Sequence, residues 1–374
     1  MRDAAVRSHS VRMLALMLAA LLVEACLAFA FELDNLVDPK RPQLTVLDRF
    51  VVFDQGHSAF PSVVQAPGGR ILVVFRNGAQ HADPSGKIMM VSYAYDSVAE
   101  RFTPTDTNTI IDTPEDDRDP SIAAVADGTL LVNYFTRVEL SPTSEDVEVH
   151  VSQSQDSGRS WHAWASVPNP WPARWLATSN AIHESADGRL LMATYGVVAA
   201  DDKSSGLVYQ SRDAGRTWQY YGLIGRDPRQ QIEFAEPAVT QLGDRMVAAL
   251  RADPGDSPEG GFIYWAESPN SGRTWSTPVR LRLWGFPSRP VELSNGALLL
   301  VYGYRRSPFG VQFSTSTDGG RAWSEPAGLD TSSESTDCGY PVSVELADGS
   351  LLTVYYLTRD QRTFVAGVHY RLSW

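Results

Sequence analysis

Cysteine is almost absent from this chain of 374 residues, which contains only Cys26 and Cys338. Cys26 falls in an N-terminal stretch with the features of a removable leader. The mature chain would then keep Cys338 alone and could form no intramolecular disulfide. We therefore expect packing rather than covalent bridges to hold the fold, and we expect Cys338 to be a small buried packing residue.

The sequence also lacks an apolar run long enough to cross a bilayer comfortably. The N-terminal apolar stretch, residues 13–23, is short; three arginines precede it, and Ala28-Phe29-Ala30 fits a small-residue cleavage site. These features predict a signal peptide over residues 1–30 and a secreted or periplasmic protein without membrane association after cleavage. A membrane anchor and a lipoprotein attached through Cys26 are the alternatives.

Positive charge is in deficit, with a formal net charge of −12. This balance argues against nucleic acid or an anionic membrane surface as a partner. No glycine-rich phosphate loop precedes a helix, so no nucleotide cofactor is expected. His57, His81 and His183 lack metal-site spacing, and a metal would require two of them to converge with a carboxylate. No cofactor and no metal are therefore predicted.

What the sequence does contain is repeats. The first has the form S-x-D-x-G-x-[TS]-W at 154–161 and 211–218, with looser copies at 268–275 and 316–323. Such a motif predicts a hairpin in which Asp or Asn accepts bonds from backbone N–H groups, Gly is left-handed and Trp packs beneath. We expect its role to be structural.

The second repeat is a proline or alanine, an apolar strand, a Gly-containing turn and a returning apolar strand. Its six copies span residues 61–76, 120–137, 181–195, 237–251, 290–305 and 341–356. Intervals of roughly 50 to 60 residues match four short strands per unit. The sequence therefore predicts an all-β, six-bladed β-propeller over residues 31–374. The segment Thr45–Phe53 is expected to complete the last blade and close the ring.

The register of the second repeat predicts a site. The residues before each first strand, and those ending each second strand, should ring one end of the central axis. Arginines, carboxylates and tyrosines occupy these positions, and several arginines at equivalent places suggest recognition of a carboxylate.

The repeats resemble those of the exo-sialidases, and the hairpin motifs resemble the Asp boxes of that superfamily. The resemblance implies that Tyr340 is the nucleophile, Glu236 its general base and Asp83 the acid/base, because sialidases use a Tyr nucleophile. For Asp83, a plain turn residue is the open alternative.

The resemblance also implies substrate-binding arginines. Arg251 matches the second arginine of the family, and Arg289 is a candidate for the third, with a salt bridge on the rim as the alternative. Ala59 stands where the family usually has its first arginine. Arg76, Arg118 and Arg137 are candidates to fill that gap.

Three functions follow. The first is a secreted glycoside hydrolase that removes a terminal anionic sugar, with sialic acid as the best candidate. The second, motivated by Ala59 and the rim histidines, is a lyase or hydrolase acting on another acidic glycan of the uronic-acid type. The third is a non-catalytic carbohydrate-binding propeller. In each, the partner is a glycan.

Overall fold

The computed structural model describes residues 41–141, 144–171, 175–253 and 260–374. The predicted signal peptide, residues 1–30, lies outside these ranges. Within them no helical segment has the length and apolar character of a membrane span.

The strands form six antiparallel sheets arranged as the blades of a propeller. The first of the described strands, β1 (Gln43–Phe53), belongs to the last blade. The strands of blade one are β2 (His57–Gln65), β3 (Ile71–Gly78), β4 (Lys87–Asp96) and β5 (Arg101–Ile111). The strands of blade two are β6 (Asp116–Ala124), β7 (Leu130–Ser141), β8 (Ser144–Ser154) and β9 (His162–Val167).

Blade three differs from the others because its innermost strand is interrupted. Its strands are β10 (Leu176–Thr178), β11 (His183–Glu184), β12 (Leu190–Val197), β13 (Ser204–Ser211) and β14 (Gln219–Gly225). Both β10 and β11 pair with β12, and residues 179–182 between them leave the ladder. The sequence analysis placed the start of this hairpin at Ala181, whereas pairing begins at Leu176.

The remaining blades are regular. The strands of blade four are β15 (Phe234–Leu242), β16 (Arg245–Ala252), β17 (Phe262–Ser268) and β18 (Val279–Trp284). The strands of blade five are β19 (Ser288–Glu292), β20 (Leu298–Tyr304), β21 (Gly310–Ser316) and β22 (Ala327–Asp330). Blade six contains β23 (Gly339–Glu345), β24 (Leu351–Arg359) and β25 (Arg362–Ser373).

Ring closure occurs in blade six, where β1 pairs with β25 from Gln43↔Ser373 to Phe53↔Val365. The sheet order β1-β25-β24-β23 confirms the prediction that an N-terminal strand completes the last blade. The apolar core is distributed between neighbouring blades; one cluster, for example, packs Val247 and Trp265 of blade four against Leu298 and Tyr302 of blade five. Burial of such large side chains at every blade interface is what stabilises a fold without disulfides.

The Asp-box hairpins have the predicted geometry. In the second copy, the Asp213 carboxylate accepts bonds from the backbone and the hydroxyl of Thr217. Gly215 has φ +83°, and the buried Trp218 donates through Nε1 to the Gly215 carbonyl, 3.0 Å away. All four hairpins join the third and fourth strands of their blades, so they lie at the end of the propeller opposite the predicted site.

Candidate active site

Four innermost strands begin with the same backbone irregularity. Phe60, Asp119, Glu236 and Tyr340 each directly precede a proline and have positive φ values of 56°, 47°, 46° and 49°. The register of β2, β6, β15 and β23 shifts at each of these residues, as in a β-bulge. A bulge changes the direction of a side chain relative to the regular pleat, and non-glycine residues with positive φ concentrate at functional sites.

These bulges bring the side chains of blades four and six together. The Tyr340 hydroxyl donates a hydrogen bond to Oε1 of Glu236. The other carboxylate oxygen of Glu236 accepts a bond from Nη1 of Arg251 at 3.0 Å. Tyr340 and Glu236 are both buried, with exposed fractions of 8% and 3%.

Burial and neighbouring charges shift the pKa values of Glu236 and Tyr340 in opposite directions. Burial alone would raise the pKa of Glu236, but Arg251 and the bond from Tyr340 outweigh it and hold that pKa below its ordinary value. Burial, with the nearby charges of Glu236 and Asp119, raises the pKa of Tyr340 well above 10. A neutral phenol therefore faces an ionised carboxylate, as a nucleophile and its general base require.

Two arginines flank the phenol from one side. The guanidinium groups of Arg251 and Arg305 lie 4.5 and 5.0 Å from the centre of the Phe286 ring, and that of Arg305 lies 5.9 Å from the Tyr340 ring. Arg305 is the last residue of the fifth repeat copy, as Arg251 is of the fourth, but it follows β20, whereas Arg251 lies within β16 opposite Ala235. Its place at the end of the repeat copy was the signal available in the sequence, where Arg289 was the predicted blade-five arginine.

Arg289 has a different environment. It is 5% exposed, and its guanidinium group donates to the backbone carbonyls of Ser179 and Ser288. Burial lowers its pKa, while Glu236, Tyr340 and Asp119 oppose that shift. Arg289 therefore lies close enough to Tyr340 and Glu236 for its charge to act on them, while both of its terminal nitrogens donate to backbone carbonyls.

Arg76 and Arg118 share one carboxylate. Nε of Arg76 donates to Asp116 at 2.7 Å, and Nη1 of Arg118 donates to the same group at 2.9 Å. Arg76 is 0% exposed and also donates to the Gln80 and Asp83 carbonyls. Arg118 is 8% exposed, and its guanidinium group lies 5.2 Å from the centre of the Phe60 ring. Arg76 thus holds the loop after β3, while Arg118 lies at the edge of the site.

Asp83 lies in that loop. Its carboxylate accepts bonds from the backbone of Gln80 at 2.6 Å and from the backbone and hydroxyl of Ser85. Burial would raise its pKa, but these bonds outweigh burial and lower it. The carboxylate caps its own turn and retains 17% exposure of the side chain. The acid/base role of Asp83 stays a prediction.

Asp119 is a buried residue of the site for which no role was predicted from the sequence. This carboxyl group lies at the bulge of blade two, 4.0 Å from Nε of Arg118, and its Oδ1 has no hydrogen-bond partner in the described ranges. Burial raises its pKa to about 7, although Arg118 opposes the shift. The signal in the sequence was its position before Pro120, which corresponds to Glu236 and Tyr340.

The first blade contributes an apolar wall where the sequence lacks an arginine. Ala59 is fully buried opposite Arg76 in the ladder. The ring of Phe60 contacts the Tyr340 ring with a centroid distance of 4.8 Å. Beside this wall, a cavity of about 270 Å³ is lined by residues that include Arg118, Arg137, Trp175 and Tyr195.

The protein is thus a six-bladed β-propeller with a Tyr–Glu–Arg cluster at its axis. The chain belongs to the BNR repeat-like domain family, whose model matches residues 107–353. No curated protein matches it.

Solved structures share the fold. A protein of unknown function from Dyadobacter fermentans is 24% identical with a TM-score of 0.76, and the alignment covers 88% of this chain and 99% of that one. An α-L-arabinanase from Penicillium chrysogenum is 14% identical with a TM-score of 0.66, covering 87% and 98%. The NanB sialidase from Streptococcus pneumoniae is 13% identical with a TM-score of 0.65, covering 91% and 72%. The fold is thus shared with glycoside hydrolases of different specificity.

Proposed function

We propose that the protein is a retaining glycoside hydrolase that removes a terminal anionic sugar, with sialic acid as the best candidate. The observation that carries this proposal is the hydrogen bond from the neutral Tyr340 phenol to the ionised Glu236 carboxylate. The sialidases among the structures of the same fold support the choice of substrate class.

In the first step, Oη of Tyr340 attacks the anomeric carbon while Glu236 accepts the phenol proton. The bond to the leaving group breaks, its oxygen receives a proton from the acid, and a glycosyl–tyrosine intermediate forms. In the second step, water attacks the anomeric carbon and gives a proton to the conjugate base of the acid. The bond to Oη of Tyr340 breaks, Glu236 returns the proton to the phenol oxygen, and the sugar is released with its original configuration. We assign the acid role to Asp83 in the loop beside the site.

A neutral phenol suits a substrate with a carboxylate at the anomeric carbon, because an attacking carboxylate would be repelled by it. Arg251 and Arg305 supply positive charge beside the phenol and are the residues we assign to the substrate carboxylate. Ala59 and Phe60 supply no arginine from blade one, and Arg118 of blade two, whose guanidinium group lies against the Phe60 ring, is a third arginine at the edge of the site.

The test is release of free sugar from sialyl glycosides by the wild type and by Tyr340→Phe. We expect turnover by the wild type and a loss of at least about 100-fold in the variant. Tyr302→Phe is the matched control, because Tyr302 is a fully buried tyrosine of blade five that bonds to Ser314. Equal activity of Tyr340→Phe and the wild type would rule out the nucleophile.

A second candidate is an enzyme for a uronic-acid glycan, favoured by the buried Ala59 in place of the first arginine of the sialidases. A lyase of this kind would leave an unsaturated, ultraviolet-absorbing product, whereas a hydrolase would leave a reducing sugar. Absence of both products across a uronan panel would remove this candidate. Glycan binding without any turnover would instead indicate a non-catalytic propeller.

A further inference from the structure

Two histidines and one aspartate converge at the seam between blades one and six. His57 begins β2, His81 lies in the loop after β3, and Asp337 precedes β23. Nε2 of His57 lies 2.8 Å from Oδ2 of Asp337, and Nδ1 of His81 lies 3.0 Å from Oδ1. One ligand atom from each residue can be chosen so that all three lie within 4.8 Å of one another.

The fold brings two histidines together with a carboxylate, which a metal site requires and which the spacing of these residues along the sequence did not indicate. The two histidines are 24 positions apart and the aspartate is more than 250 positions further on, so only ring closure brings them together. Two imidazoles and one carboxylate are a donor set typical of zinc sites that retain an open position.

Small movements would bring the ligand atoms to the separations that an ion requires. Ligands of a tetrahedral zinc ion at about 2.0–2.1 Å from the metal lie about 3.3 Å apart. The two N···O pairs, which use different carboxylate oxygens, would open by a few tenths of an ångström, and ligand atoms that are up to 4.8 Å apart would move closer. The His81 side chain is 52% exposed and can adjust, and solvent can supply a fourth ligand. The Tyr356 hydroxyl donates to Oδ1 of Asp337 at 3.0 Å and orients the carboxylate.

Nε2 of His57 faces Asp337, whereas the other ring nitrogen, Nδ1, is buried without a hydrogen-bond partner within the described ranges. Nε2 is therefore the atom of His57 that would bind the ion.

We infer that His57, His81 and Asp337 bind one divalent transition-metal ion, with Zn²⁺ as the best match. The ion ties the loop that bears His81 to the entrance of β23, three residues before Tyr340. The rings of His81 and Tyr340 both contact Phe60, with centroid distances of 5.3 and 4.8 Å. The site therefore forms one wall of the catalytic cluster without including its nucleophile.

The experiment is calorimetric titration of the chelator-treated full chain with Zn²⁺, and with Co²⁺ as a spectroscopic probe. We expect one ion per chain and visible Co²⁺ absorption bands of a site with nitrogen and oxygen ligands. His81→Ala and Asp337→Asn should each weaken binding by more than about 100-fold, because loss of a direct ligand exceeds the effect of an outer-shell change.

Two controls separate this site from adventitious binding. His162→Ala removes an exposed histidine from blade two, and Cys338→Ala removes the buried thiol next to Asp337. Both should bind the ion as the wild type does. Absence of stoichiometric binding in the wild type, or binding that survives both His81→Ala and Asp337→Asn, would overturn the inference. Because no substrate is used, the result is independent of the proposed hydrolase activity.

Discussion

Tyr340 and Glu236 occupy the same backbone position in two different blades and meet through their side chains. Each directly precedes a proline, each has a left-handed backbone, and each lies at a register shift of an innermost strand. Propeller symmetry therefore places two chemically different residues at equivalent points around one axis. The proposed nucleophile and its proposed base thus occupy a single repeat position in two blades.

Glu236→Gln should abolish the base while preserving the size of the side chain. An amide cannot accept the phenol proton, so we expect kcat/KM to fall by about 10²–10⁴-fold. Steady-state kinetics on the best substrate measure this loss. Glu233→Gln, three residues earlier and partly exposed, is the control and should remain active. A Glu236→Gln variant with unchanged kcat/KM would contradict the assigned role.

Asp83→Asn should reveal the acid through its dependence on the leaving group. We expect a fall of about 10²–10⁴-fold on a natural glycoside and near-normal rates on an activated aryl glycoside, which needs no proton. Because hydrogen bonds in the turn outweigh burial and lower the pKa of Asp83, wild-type activity should be greatest in the acidic range and fall as pH rises.

Asp119→Asn is the comparison for that experiment. Asp119 is enclosed at the axis, so its loss should slow both classes of substrate equally. The opposite pattern, with selective loss on the natural glycoside in Asp119→Asn alone, would transfer the acid role to Asp119.

Arg251→Lys and Arg305→Lys should weaken recognition of the substrate carboxylate. Lysine cannot offer the planar two-pronged donor set of arginine, so we expect KM for the anionic substrate to rise at least about 10-fold. The exposed Arg282→Lys variant serves as the control. If the KM for the methyl ester of the substrate rises as much as that for the acid, the carboxylate is not the group that these arginines bind.

Asp119 should make stability depend on pH. Its pKa is raised from an ordinary value near 3.8 to about 7 in the folded protein, chiefly by burial, so the folded state holds the proton more tightly. This contribution is fully present below pH 4 and is lost as pH rises through about 7, at up to about 1.4 kcal/mol per pH unit. Denaturant unfolding from pH 4 to 8 should show a shallower decline for Asp119→Asn than for the wild type.

Trp218→Ala should separate stability from catalysis. The side chain is buried under its Asp-box hairpin, and truncation of a buried tryptophan costs about 3–5 kcal/mol. Because the hairpin lies at the end opposite the site, kcat/KM below the unfolding transition should not change. Thermal unfolding and kinetics on the same preparation check both expectations; a large loss of kcat/KM in the folded variant would contradict a purely structural role.

The propeller could be predicted from the sequence because each repeat copy shows where its strands begin and end. The six aligned hairpins indicated six blades, and the incomplete last blade indicated that an N-terminal strand closes the ring. The Tyr340, Glu236 and Arg251 cluster could be anticipated because these residues occupy repeat positions that converge on the axis.

The contacts of individual side chains could not be anticipated in the same way. A repeat position places Arg76 and Arg289 near the axis, but it does not show that Asp116 and backbone carbonyls already bind them. Likewise, His57, His81 and Asp337 come from the first and the last blade, and their spacing along the sequence does not indicate that they lie close together.

Ring closure has a consequence for the order in which the protein is made. β1 is among the first segments of the fold to be synthesised and β25 the last, and they pair with each other in the blade that carries Tyr340. That blade cannot be completed until the ribosome has translated β25. A product terminated before β25 would therefore lack the complete blade that carries Tyr340, even with five blades formed.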